Sequence, residues 1–519
     1  MNLVLPPSVP LGEFDRALRD FEGVVGSDWV LATDEDRTTY MDAYAVGDGS
    51  DHMPSAAVAP KSVAEVQAIL RIANERRIPL WPISRGKNLG YGEAAPLLSG
   101  SVVLDLGRMN RILEVDEKTG YAVVEPGVGF FDLFKHLQDN KIPLWMSVPG
   151  NAWGSIIGNA LDRGLGYTPY GDNTSKLCGL EVALPTGELV RTGMGAMANS
   201  KGRYHYQYGF GPHWDQMFVQ SNFGVVTQAG IWLMPEPEAT MRVTIDLPAP
   251  EDIAWFVDEM SHLRLRGVIE QPFVCGNYLR LATVFSQRDD WYRGQGAIPD
   301  EIAPKIIEHF KTGWWSSTVT LFGYADVIKV HADLIRKAIE PHLKTRLKFD
   351  AWHRGEPIDR SGAGVPNLLS LQIVNWRGGR GGHVGFSPVM PPDGKLALAQ
   401  FRKMKARFDE FGFDYYSSFT IGHRHINNIN LIIYDRDDKA MTDAARKLFN
   451  TIIADAAREG YAEYRTHLAF MQPVAETFDF NDRALTRLNE KVKDALDPNG
   501  ILAPGKNGIW PRSHRETPQ

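Results

Sequence analysis

The sequence predicts an α+β protein of two domains. Three observations carry this. A chain of 519 residues is too long for one hydrophobic core, since single cores stop growing at roughly 250–300 residues. Near its start, a strand–helix–strand unit runs into a glycine-rich loop, Pro82-Ile83-Ser84-Arg85-Gly86-Lys87-Asn88-Leu89-Gly90-Tyr91-Gly92. Around Pro235-Glu236-Pro237-Glu238 the composition shifts. Strands there begin to alternate with longer amphipathic helices, the pattern of a second α/β unit with an antiparallel sheet.

In chain order, a helical stretch covers residues 11–21, and Ala56-Ala57-Val58-Ala59 reads as a strand. Ser62 caps a helix whose apolar positions Val63, Val66, Ile69, Leu70 and Ala73 keep a helical period. Residues 78–81 form the strand that delivers the loop. Strands follow at 102–106, 112–115 and 122–126, and a helix at 131–137. Residues 148–173 are so rich in glycine and small side chains that their backbone should lie against something flat. Residues 180–184 turn through Pro185-Thr186-Gly187-Glu188 into 189–192, a hairpin. Asn222-Phe223-Gly224-Val225-Val226 precedes a strand ending at Leu233-Met234. Beyond the composition shift, helices are expected at 253–265, 325–339, 396–411 and 440–459, and a last helix from about Asn481.

A net charge of −7 argues against nucleic acid as the main partner. No apolar run is long enough to span a membrane, and residues 1–14 carry prolines without the apolar stretch of a secretory leader. Cys178 and Cys275 make no disulfide scaffold, so the expected compartment is the reducing cytoplasm.

The loop at 82–92 carries the chemistry. Its glycines let the backbone approach a ligand and turn several N–H groups toward one point, which can hold a pyrophosphate without a helix-borne G-x-G-x-x-G. Taken alone it fits an ordinary surface turn equally well. The rest of the chain separates the two readings. The loop resembles the pyrophosphate loop of the vanillyl-alcohol oxidase / p-cresol methylhydroxylase flavoproteins. So do Gly158-Asn159-Ala160-Leu161-Asp162-Arg163-Gly164 running on to Gly171, Glu463-Tyr464-Arg465-Thr466-His467, and Asp497-Pro498-Asn499-Gly500-Ile501-Leu502-Ala503-Pro504-Gly505-Lys506. The resemblance covers nearly the whole chain, in order, and looks closest to the bacterial eugenol-oxidase-like 4-phenol oxidases.

That resemblance implies a two-domain FAD-binding fold with an FAD-binding domain at 1–240, an antiparallel-sheet substrate (cap) domain at 241–480, and a segment at 481–519 returning to the first domain. It implies FAD held by Ser84, Arg85, Gly86, Lys87, Asn88, Leu89 and Gly90, by Gly158, Asn159, Asp162, Arg163, Gly164 and Gly171, and by Gly224, Val226 and Lys506. The implied reaction is oxidation of a para-substituted phenol, such as a 4-alkylphenol, vanillyl alcohol or eugenol, at the carbon attached to the ring. Ionising the phenol pushes electrons to the para position, so a hydride can leave for flavin N5 and a quinone methide remains. The site must therefore hold a phenolate below its solution pKa, and a cation with hydroxyl donors does so. Tyr91, Tyr464 and Arg465 match the family's clamp for it. Dioxygen would reoxidise the flavin and give hydrogen peroxide; the alternative is a dehydrogenase passing electrons to a cytochrome c-type carrier. A ligand-binding protein without turnover is the reading of a different class, and a buried phenolate clamp speaks against it.

In the oxidase branch, the histidine before an apolar-Phe-Ser-Pro run carries FAD covalently. Here it is His383, ahead of Val384-Gly385-Phe386-Ser387-Pro388. The cytochrome-partnered branch uses a tyrosine just before Asn-Trp-Arg, and that place is Val374. The oxidases' aspartate near N5 has no counterpart in Pro149-Gly150-Asn151-Ala152-Trp153. Asn151, or with a one-residue shift Gly150, stands there, and an asparagine cannot take a proton at neutral pH. Tyr167 is expected to wall the substrate pocket, and His52 to assist flavin attachment or stand as a solvated loop residue. His423 and His425, two apart on an expected strand, face one way. No third ligand accompanies them, so a pocket-lining or structural role is expected over a metal. The family also implies a homodimer.

Overall fold

The computed structural model describes residues 3–343, 347–358 and 361–515. The first helix beyond the N-terminal region, Val63–Arg76, shows how local sequence sets an element. The Ser62 hydroxyl accepts from the Glu65 N–H, Val66, Ile69, Leu70 and Ala73 are buried along one stripe, and Arg77 in the left-handed region ends the helix. The strands it connects, Ala56–Val58 and Leu80–Ile83, are not neighbours: Val102–Asp105 lies between them, parallel to both. Val102, Val103 and Leu104 are wholly buried, and the strand apolar on both faces takes the middle of a parallel sheet.

A second, antiparallel sheet joins Ile112–Asp116, Tyr121–Val124, Val225–Trp232, Leu177–Ala183 and Leu189–Arg191 in that order. Each of these sheets has its own apolar cluster. The third sheet is the largest, with nine strands among the described residues. Helices Ile253–Leu265, Ala325–Ile339, Gly394–Glu410 and Lys439–Arg458 bury their apolar residues in one cluster with it. No helix among the described residues is long and apolar enough to cross a membrane.

The C-terminal segment lies along the strand that delivers the loop. Leu80 N–H donates to Ile501 O and Ala503 N–H to Leu80 O, each at 2.7 Å. A wholly buried ion pair anchors it. Lys493 Nζ lies 2.7 Å from Asp497 Oδ2 and donates to Asn222 O and Leu502 O, while Asp497 accepts from the N–H groups of Ile501 and Leu502. Burial pulls the Lys493 ammonium below its ordinary pKa and Asp497 opposes this. Removing one member of a buried pair strands the other charge, so Lys493→Met should lower unfolding free energy by about 3–5 kcal/mol. Chemical denaturation with FAD in excess measures it, and a loss below about 1 kcal/mol would contradict the anchoring role.

Candidate active site

The loop at 84–92, the segment 149–167 and the strand Phe273–Asn277 enclose a cavity of about 380 Å³ with Thr420, Ile429 and residues 464–468. At the loop, none of the N–H groups of residues 85–90 donates to a protein acceptor among the described residues. Such a run of free donors can hold an anionic partner. Positive φ at Gly90 and Gly92 shapes it, and contact also demands glycine at both: a Cβ on Gly90 would lie 2.6 Å from His383 Cε1, and one on Gly92 would overlap the Leu468 side chain.

Opposite the loop, Arg465 is the centre of charge. Its guanidinium carbon lies 3.9 Å from the Tyr91 ring centroid and 5.9 Å from that of Tyr464. Nη1 stands 3.8 Å from Asp162 Oδ2, and Nε is buried with no partner. Burial works against the Arg465 charge, but Tyr91, Tyr464 and Asp162 outweigh it and hold the guanidinium above its ordinary pKa. Burial raises the Tyr464 phenol, which therefore stays a neutral donor. Asp162 ties the two halves of the site together, because its Oδ2 also accepts from Asn88 Nδ2 of the loop at 2.9 Å. A buried guanidinium with a spare N–H, beside two phenols, can hold an anionic oxygen.

His383 lies on Gly381–Phe386, paired with Ile433 of the next strand, and its ring backs onto Gly90. Its Nδ1 is shielded from solvent without a partner. Burial pushes the imidazole down to about 4, against Asp42, so it is neutral at ordinary pH. Glu463 is buried beside the clamp and accepts from Ser387 N–H at 2.8 Å. Burial raises its carboxyl to about 8.

The expected site residues divide by place. Ser84, Gly86, Lys87, Asn88, Leu89, Tyr91, Asn151, Gly158, Asn159, Asp162, Gly164, Tyr167, Gly224, Val226, Tyr464, Arg465 and Lys506 line the cavity. Arg85, Gly90, Arg163, Gly171 and His383 are not among the residues that line it. The Arg85 side chain pairs with Asp132 at 2.8 Å, so what it brings to the loop is its backbone. Gly171 packs against Gly166 and Pro272. His423 requires a correction. Strands end at Ile421 and restart at Ile426, so His423 and His425 sit in a hairpin turn. His423 is exposed and outside the cavity lining, not a pocket residue. No His/Cys/Asp/Glu cluster fit for a metal occurs among the described residues.

Asn151 turns its Oδ1 to the N–H of Trp153 at 3.1 Å, and Ser370 Oγ donates to the neighbouring Gly150 O at 2.6 Å. His52 is half-buried, and its Nδ1 meets Leu97 O at 3.0 Å. Sequence reasoning missed Gln220, which lines the cavity in the left-handed region and donates to Tyr464 O at 2.9 Å. It also missed the cap wall of Pro272, Val274, Thr420 and Ile429. The polar run Gln220-Ser221-Asn222 before an apolar strand was the one signal for the former.

Known proteins match this chain over its full length. The family model for the FAD binding domain covers residues 54–193, and that for the C-terminal domain of FAD linked oxidases covers 370–507. The flavoprotein subunit of 4-cresol dehydrogenase (hydroxylating) from Pseudomonas putida is 34% identical over 514 residues, 98% of each chain. Two solved structures share the fold: 4-ethylphenol oxidase from Gulosibacter chungangensis in complex with isoeugenol, and p-cresol methylhydroxylase with substrate bound. The first is 35% identical with a TM-score of 0.94, covering 99% of this chain and 100% of that one; the second is 33% identical with a TM-score of 0.93, covering 98% and 99%. The chain belongs to the vanillyl-alcohol oxidase / p-cresol methylhydroxylase family. It is an FAD-linked oxidoreductase, and FAD is its cofactor.

The residues present fit that cofactor of the family. The free N–H groups of residues 85–90 suit its pyrophosphate. Gly158 and Gly164 line the cavity and admit no side chain, because a Cβ there would meet Ser84 Oγ and the Asn159 amide.

Proposed function

We propose that this protein oxidises para-substituted phenols, 4-alkylphenols and 4-hydroxybenzylic alcohols, at the carbon attached to the ring, with dioxygen as the electron acceptor. The observation that carries the reading is Arg465, buried beside Tyr91 and Tyr464 with its Nε unpartnered. Bound FAD supplies a two-electron acceptor for the hydride. The chain's own part is to bind the phenol as its anion. Arg465 gives the phenolate oxygen a charge-assisted hydrogen bond, Tyr91 and Tyr464 are its hydroxyl donors, and Asp162 keeps the guanidinium turned to the site. The apolar wall of Pro272, Val274 and Ile429 excludes water from the para substituent. The relatives named for 4-cresol and 4-ethylphenol support this substrate class.

His383 supports a covalent flavin and hence the oxidase reading: its imidazole is neutral and its Nδ1 unengaged. One observation favours the second reading, electron transfer to a carrier such as a cytochrome. No carboxylate occurs at residues 149–153. Anaerobic reduction by a 4-alkylphenol followed by admission of air separates the two. The flavin band should return within the time of a few turnovers. If it returns only with an added electron carrier, the acceptor is not dioxygen. We place the working form as a cytoplasmic homodimer, which sedimentation tests.

Asn151→Asp tests the cavity wall. The new carboxylate keeps the acceptor that Trp153 N–H uses, so the loop should hold. It also brings a group that titrates near the reacting carbon. The pH profile of flavin reduction should change, by about tenfold at its most affected pH, or about 1.4 kcal/mol. Unchanged stopped-flow profiles with both an alcohol and an alkylphenol would remove Asn151 from the reacting centre.

A further inference from the structure

Asp42 and His467, 425 positions apart, form a pair with side chains 2% and 1% exposed. Asp42 Oδ2 accepts from His467 Nε2 at 2.7 Å. The other ring nitrogen of His467 accepts from the Ala469 N–H at 3.1 Å, so the imidazole carries its proton on Nε2 and the charge of the pair sits on Asp42. Asp42 Oδ1 accepts from the N–H of Tyr44 at 2.9 Å. The Tyr44 carbonyl in turn accepts from the Tyr434 hydroxyl at 2.6 Å, and the Tyr44 ring lies against the His383 ring with centroids 5.2 Å apart. One carboxylate thus fixes the residue that packs on His383 and places a buried negative charge beside it. His467 follows the clamp residue Arg465 by two positions, so the pair also joins the clamp to the flavin side of the site.

We propose that Asp42 and His467 are the positioning residues for covalent flavin attachment at His383. This rests on the reading of His383 as the attachment residue. Attachment joins an imidazole nitrogen to the 8α-methyl carbon. One C–H and one N–H bond break, and two electrons pass through the ring to dioxygen, which leaves with the two protons as hydrogen peroxide. While its nitrogen lone pair is drawn into the new bond, the His383 ring becomes electron-poor. A buried carboxylate stabilises that ring where water cannot. Burial holds His383 neutral and able to attack, while Asp42 acts in the opposite sense, favouring positive charge on it.

The test is Asp42→Asn, of the same size but uncharged. Wild type and variant are purified with FAD bound and precipitated in acid, and the flavin retained on protein is followed during further incubation with FAD in air. The variant should bind FAD but attach it at least roughly tenfold more slowly. A role confined to packing would leave this isosteric change without effect. If Asp42→Asn fails to hold FAD, His467→Gln, which leaves the carboxylate in place, should show the same slowing. Attachment at the wild-type rate in either FAD-bound variant overturns the proposal. A wild type with no acid-stable flavin sinks the attachment reading itself, and this proposal with it.

Discussion

Arg465→Ala should cut kcat/KM for a 4-alkylphenol by roughly a thousandfold, about 4 kcal/mol, the upper range for losing one donor to a developing or held oxyanion in a buried site. The guanidinium has a carboxylate at 3.8 Å and two phenol rings around it, and no other cation stands over those rings among the described residues. Without it, the phenol must bind neutral, and little electron density reaches the para carbon. The loss should fall mainly on flavin reduction, because the bond to the anion strengthens nothing in a neutral phenol. Arg465→Lys should recover only part of it. A compact ammonium cannot reproduce the fork that faces both Asp162 and the site. Rapid-reaction reduction under anaerobic conditions checks both variants. A loss below about tenfold in Arg465→Ala would mean that the oxygen is held elsewhere.

His383→Ala should abolish acid-stable flavin altogether while leaving FAD bound in the native state. The free N–H groups of residues 85–90 do not involve the side chain at 383, so the pyrophosphate site persists. Space opens behind Gly90, where the ring had stood within reach of a Cβ. Acid precipitation should give yellow protein for the wild type and colourless protein for the variant, and the wild-type flavin peptide should contain His383. Flavin on any other peptide would contradict the assignment.

Much of this was legible in sequence because it is local. The helix Ile253–Leu265 follows from an unbroken apolar pattern, and the Ser62 cap from one hydroxyl before a helical stripe. The clamp was readable only through the family resemblance of the segments that hold Tyr91 and Tyr464-Arg465, because these lie far apart in the chain. What could not be read depends on partners far along the chain. Nothing near Asp42 announces His467, and nothing near Arg85 announces Asp132. The cap wall was hidden for a different reason. The strands Phe273–Asn277 and Tyr416–Ile421 are buried on both faces, so no alternation marks which side chains turn to the cavity. At His423, two strands in close succession read as one, because the turn Gly422-His423-Arg424-His425 lacks the Asn-Gly or Asp-Gly signal of a tight hairpin.

The central claim is that the substrate reacts as a phenolate held by Arg465. Anaerobic mixing of the enzyme with a 4-alkylphenol and, separately, with its methyl ether tests it most directly, since the two differ only in whether the oxygen can ionise. The phenol should bleach the visible flavin band in a single turnover, and the ether should leave it unchanged even at saturation. Bleaching by the ether at a rate comparable to that of the phenol would contradict the account.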